Sequence, residues 1–187
     1  MIDLNNQTWV LSTATSSYQI STQQNLLSHE FVNEAFASDE MSWAKPLPPG
    51  QIRLMLQNSV TAGIYEAVPG ASPPAKMVDE PISCRDDSTL PNNGSTGLKQ
   101  VGMARLITDH VTFAYLTDVY IAQSHRGQGL FKLLMACVKE MVAAHPSLRR
   151  LCLLTGQESL QSLYRKELGV WLLGEHESFA VMTGNKF

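Results

Sequence analysis

Cysteine is scarce in this 187-residue chain: Cys84, Cys137 and Cys152 are odd in number and form no CxxC pair. That argues against both a disulfide framework and a zinc site, and no metal is expected. Charge is sparse as well, with 17% Asp, Glu, Lys and Arg, a net charge of -3 and a pI near 5.9. A chain without a basic excess lacks the field that dominates nucleic-acid affinity, so no nucleic-acid partner is expected. The apolar runs stop far short of the roughly 20 residues that span a bilayer, which removes the membrane as a partner. The start, "MIDLNNQTWVLSTATSS", lacks a basic segment followed by an apolar core, so a cytoplasmic location is expected. The sequons at Asn6 and Asn93 then carry no weight.

What is present fits one globular domain over 1–187, with 44% hydrophobic residues. Residues 1–17 read as a strand-poor lead-in anchored by Trp9. "YQIST" reads as a strand, "QQNLLSHEFVNEAFAS" as a helix with Leu27, Phe31, Val32, Ala35 and Phe36 on one face, and "KPLPPGQIRLMLQNS" as a turn opening a second helix. "VTAGIYEAV" is a strand. Residues 67–98 hold five of the nine prolines and no aromatic side chain, too little apolar surface to offset ordering entropy. This stretch reads as a disordered insertion within a hairpin, or as a substrate lid. "QVGMARLIT" and "VTFAYLTDVYIA", joined at Asp109-His110, form a second antiparallel pair. Leu130, Leu134, Met135, Val138 and Met141 trace a helix that ends before Pro146. "RRLCLLT" reads as a strand buried on both faces, "ESLQSLYRKEL" as a short helix closed by Gly169, and "VWLL" and "SFAVM" as strands completing the sheet.

The segment "LTDVYIAQSHRGQGLFKLLM" passes from strand through an Arg-Gly-x-Gly turn into a helix. Gly127 and Gly129 allow backbone amides to approach a ligand, and the helix start adds partial positive charge, so the stretch is a candidate anion site. The same glycines also serve a plain strand-to-helix turn. A dinucleotide fingerprint would place a third glycine at Lys132, and a P-loop would end in Gly-Lys-Ser/Thr; neither is met.

The order of elements, together with "VGMARLITDHVTFAYLTDVYIAQSHRGQGLFKLLM" and "LLTGQESLQSLYRKELGV", resembles the GCN5-related N-acetyltransferase (GNAT) family over about residues 18–180. "SWAK" looks like a subgroup of small microbial members. The resemblance implies an α/β (α+β) fold with a central mixed, mostly antiparallel twisted sheet of six to seven strands and about four helices. It implies acetyl-CoA as cosubstrate and an amine acceptor, with homodimers common in the family. Its motif Arg/Gln-x-x-Gly-x-Gly/Ala reads here Arg126, Gly127, Gln128, Gly129, Leu130, Phe131, so a phenylalanine replaces the last small residue. By that correspondence Arg126, Gly127, Gln128, Gly129 and Leu130 cradle the pyrophosphate, and Val119, Tyr120 and Ile121 lend backbone groups to the pantetheine arm.

Asp118 interrupts an apolar strand and is a candidate base or amine anchor, or else a cross-strand polar partner. Tyr164 matches the family tyrosine that protonates the departing thiolate, or is a core tyrosine. The family writes Tyr-x-x-x-Gly, whereas Gly169 lies five residues on. Trp43 and Tyr18 are candidates for shaping the acceptor pocket, or for plain packing. The expected activity is acetyl transfer from acetyl-CoA to a primary amine by direct attack in a ternary complex. The alternatives are a catalytically weakened acyl-CoA-binding module and a nucleotide-binding protein using the same turn.

Overall fold

The computed structural model describes residues 4–12, 17–68 and 97–176. Among these residues six strands form one sheet in chain order: β1 (Thr8–Ser12), β2 (Ser17–Ser21), β3 (Val60–Ala67), β4 (Leu98–Thr108), β5 (Phe113–Ile121) and β6 (Arg150–Leu153). Every neighbouring pair is antiparallel except β5 and β6, which run parallel. The helices are α1 (His29–Ala37), α2 (Pro49–Gln57), α3 (Leu130–Ala143), α4 (Glu158–Leu168) and a single turn, α5 (Leu173–His176). This mixed six-stranded sheet with helices on its faces is the expected α/β architecture.

The two faces bury different sets of side chains. Val60, Ala62, Ile64, Ala104, Leu106, Ala114 and Leu116 pack with Leu130, Leu134, Val138 and Met141 of α3 and with Tyr164 and Leu168 of α4. Full burial of such side chains contributes about 1.5–3 kcal/mol each. On the other face Met103 packs with Val32, Phe36, Ile52 and Leu56 of α1 and α2. The Ser28 hydroxyl caps α1 by accepting from the Phe31 amide (3.1 Å), and the Ser28 amide donates to the buried Gln100 Oε1 of β4 (2.8 Å). The start of α1 is thereby fixed to the sheet.

β5 carries one residue more than β4 opposite it. Arg105 faces Thr117 and Met103 faces Tyr120, so Ala104 opposes both Asp118 and Val119. Such a bulge reverses the alternation of side chains. Before it, even-numbered Ala114 and Leu116 face α3; after it, odd-numbered Val119 and Ile121 pack toward that core, and Tyr120 toward α1. Asp118 itself has φ 51°, in the left-handed region that Asp and Asn tolerate better than other side chains. Pairing with β6 ends at Leu116–Leu153, so β5 continues for five residues with no strand on that side among the described residues.

Three expectations change. The lead-in contains β1, which pairs residue for residue with β2, from Thr8–Ser21 to Ser12–Ser17. β6, expected to be buried on both faces, is half-buried along its length and is the last of the described strands in the sheet order. "VWLL" is not a strand: the Glu175 carboxylate accepts from the Leu172 amide (3.3 Å) and from Arg165 of α4 (2.8 Å), winding this stretch into α5. "SFAVM", Cys84 and most of the 67–98 insertion lie outside the described residues. The insertion's two ends do pair, Ala67 with Leu98, so it spans a β3–β4 hairpin as expected.

Ser28→Ala is expected to destabilise the protein by about 1 kcal/mol, the usual cost of a lost N-cap, read as a lower urea midpoint with unchanged slope.

Candidate active site at the β5–α3 junction

β5 leads through a short 3-10 turn (Gln123–His125) into Arg126-Gly127-Gln128-Gly129 and then α3. Gly127 and Gly129 have φ 75° and 79°, and a Cβ at either would meet nothing within 4 Å, so left-handed backbone rather than crowding requires glycine there. No side chain caps α3, and its first closing bond runs from the Leu133 amide to the Gly129 carbonyl. The amides of Leu130, Phe131 and Lys132 therefore have no helical acceptor and carry the positive end of the helix dipole.

The strand leading there presents backbone in the same direction. The Ala122 amide donates to the Val101 carbonyl of β4 (2.9 Å), so by alternation Val119 and Ile121 point their N–H and C=O groups to the side that β6 has left. The Ile121 carbonyl there accepts from Arg126 Nε and Nη2, both at 2.9 Å.

Side chains of the turn face the protein. The Arg126 guanidinium grips both oxygens of Glu40, between α1 and α2, with Nη1–Oε1 at 2.8 Å, and lies 5.9 Å from the Tyr120 ring centroid. Bonding to Arg126 holds the Glu40 carboxyl below its ordinary range. The Gln128 Oε1 accepts from the Tyr18 hydroxyl of β2 (2.7 Å). His125 reaches Glu66 of β3 through Nε2 (3.2 Å) and meets the Tyr18 ring edge-on. Tyr18 thus joins the turn, apart from the contacts made by Trp43.

Asp118 sits on the α1–α2 face of the sheet, 6% exposed. Its Oδ2 accepts from Arg105 Nε (2.7 Å), and its Oδ1 accepts from the Thr117 hydroxyl (3.1 Å) and from Trp43 Nε1 (3.4 Å). These contacts tie Asp118 across the ladder to β4. Trp43 is otherwise 65% exposed. Arg105 and Glu40 were missed as site residues. Arg105 is the one charge within "VGMARLIT", but a two-residue turn at Asp109-His110 would set it opposite Ala114; the longer loop from Asp109 to Phe113 puts it opposite Thr117, beside Asp118. Glu40 had no comparable signal.

Tyr164, 8% exposed, stands on α4 with its ring edge-on to Phe131, centroids 5.5 Å apart. No described residue hydrogen-bonds its hydroxyl, and burial pushes its pKa up to about 12. Phe131 packs inward against Tyr164, leaving the turn's outer side clear. The Cys137 thiol, on α3, is also pushed up to about 12 by burial.

The Acetyltransferase (GNAT) family model matches residues 76–170. A provisionally named acetyltransferase of Gibberella zeae is 33% identical over 173 residues, covering 89% of this chain and 85% of that one. The chain belongs to the GNAT acetyltransferase family. Among solved GNAT structures, one from Xanthomonas campestris pv. campestris is 27% identical, covers 88% of this chain and 93% of its own, and superposes with a TM-score of 0.54. A second, from Streptococcus pneumoniae, shares the fold at 17% identity, with a TM-score of 0.55 and coverage of 91% and 99%. Among the described residues of this GNAT chain, no cluster of His, Cys, Asp and Glu could hold a metal ion, and no helix is long and apolar enough to cross a membrane.

Arg105→Met would strand a buried carboxylate and is expected to cost about 3 kcal/mol, whereas Trp43→Phe, which removes one long and partly exposed hydrogen bond, should cost less than about 1 kcal/mol. Denaturant titration of both variants checks the ratio.

Proposed function

We propose that the protein transfers the acetyl group of acetyl-CoA to a primary amine by direct attack within a ternary complex. One observation carries this reading: among the described residues, β5 runs past the end of its pairing with β6 through Val119 and Ile121 directly into the helix-opening amides of α3 that have no helical acceptor. An extended thioester arm that ends in a pyrophosphate needs such a sequence of backbone partners followed by an anion site.

In this reading the amides from Gly127 to Leu130 take the pyrophosphate. Arg126 and Gln128, engaged with Glu40 and Tyr18, hold the turn's shape instead of touching phosphate through their side chains. The backbone of Val119 to Ile121 receives the pantetheine arm, and an amide of this edge polarises the thioester carbonyl. A single preorganised donor of that kind is worth about 3–4 kcal/mol in other enzymes. Tyr164 delivers a proton to the departing thiolate; with its pKa pushed up to about 12 it remains a donor at neutral pH. A primary amine is mostly protonated there, with pKa about 10.4, and must lose a proton before attack. Water is the proton acceptor in this scheme, since both Asp118 oxygens are already engaged.

Thiol release from acetyl-CoA with spermidine, lysine amide and an amine-terminal tripeptide tests the activity, with coenzyme A binding measured by calorimetry. Gly129→Val, which forbids the left-handed turn, should weaken coenzyme A binding by at least about tenfold. Tyr164→Phe should leave binding intact and lower kcat by about 10²-fold, the scale of general acid catalysis. Because the phenol titrates near 12, turnover should rise with pH toward the amine pKa and show no alkaline decline below pH 10. Tight coenzyme A binding without turnover on any amine would favour the acyl-CoA-binding module; stronger binding of ATP or NAD would overturn the acetyl-CoA reading.

A further inference from the structure

Asp118 combines three observations that its neighbours do not share. It lies in the extra-residue position of the β5 bulge, its backbone is left-handed at φ 51°, and its carboxylate is bound from Arg105 on β4, Trp43 beyond α1 and Thr117 at its own side. A general base needs a lone pair directed at its proton source, whereas here Oδ2 is 2.7 Å from a guanidinium nitrogen and the side chain is buried. What this carboxylate does hold is the conformation of its own residue. Arg105 is paired with Thr117, immediately before the bulge, and reaches diagonally to the residue inside it. A regular register would instead turn Asp118 toward the apolar face that Ala114 and Leu116 occupy, where no cation meets it.

We propose that Asp118 is a positioning residue: the Arg105–Asp118 pair locks the left-handed bulge that turns the Val119 and Ile121 backbone toward the acyl-CoA arm. This rests on the acetyl-transfer reading for the ligand, but the bulge itself is testable without one. The side-chain requirement is for an acceptor on a residue that tolerates positive φ. Asn meets both conditions, Gly meets the backbone condition alone, Glu keeps the charge but resists left-handed backbone, and Ala meets neither.

The test is a set of four variants, Asp118→Asn, Asp118→Gly, Asp118→Glu and Asp118→Ala, studied by amide NMR and coenzyme A titration. Cross-strand contacts Met103–Tyr120 and Arg105–Thr117 report the bulge in the absence of ligand. The expectation is that Asn preserves both contacts, keeps the coenzyme A shifts at the Val119 and Ile121 amides and binds within about threefold of wild type, whereas Gly, which tolerates the backbone but leaves Arg105 without its acceptor, loses the Met103–Tyr120 contact. Glu and Ala should lose the Met103–Tyr120 register and bind at least about tenfold more weakly. If Ala fails to fold, Glu carries the same test. The proposal is overturned if Gly, Glu or Ala retains the register and the amide shifts, or if Asn binds normally but loses thiol release on an amine that wild type turns over, which would make the carboxylate a base. If wild type shows no coenzyme A shifts at all, the acetyl-transfer reading fails, while the ligand-free register still decides whether Asp118 holds the bulge.

Discussion

The single extra residue in β5 is the constraint from which the site follows. With a regular ladder, β5 would keep one set of side chains toward α3 along its whole length, and Asp118 would enter that apolar core. Because Ala104 faces two residues, the strand changes sides between Leu116 and Val119. The polar side chain goes to the face covered by α1 and α2, and two aliphatic ones go to the core. The end of β6 pairing at Leu116 comes just before this switch, so the strand parts from one neighbour where it changes register with the other. Local chain geometry and sheet topology thus open the same stretch of backbone.

The turn that follows is held by contacts remote in sequence. Glu40 from the α1–α2 connection, Tyr18 from β2 and Glu66 from β3 each hold one of its residues, Arg126, Gln128 or His125. None of these anchors lies on α3. The division of labour is physical: side chains satisfy one another toward the protein, and amides without helical partners are left toward the outside. Left-handed glycines make that division feasible, because a residue with a Cβ at φ near 75° would strain the backbone in either place.

Much of this was legible in the residues. α4 spans Glu158–Leu168 as its leucine spacing and Gly169 indicate, and the Asp109-His110 turn is fixed by an Asp109 carboxylate that accepts from Val111, Thr112 and Phe113 amides. β1 escaped because the apolar run in "TWVLS" is only three residues long and the strand relies on pairing with β2. "VWLL" misled because four apolar residues satisfy strand and buried-coil patterns alike, and the deciding contact, Arg165 with Glu175, is a side-chain event. The alternation in β5 could be read only up to the bulge, since a period of two carries no mark of an inserted residue. Glu40 and Arg126 are 86 positions apart, and no short-range pattern connects them.

Phe131 and Tyr164 are the two places where the chain departs from the family's usual pattern, one by a large residue and the other by an added step before glycine. They touch, ring edge to ring face, across α3 and α4. The bulk gained on one helix lies against the residue whose spacing changed on the other. Shrinking the Phe131 ring would leave a void beside the phenol.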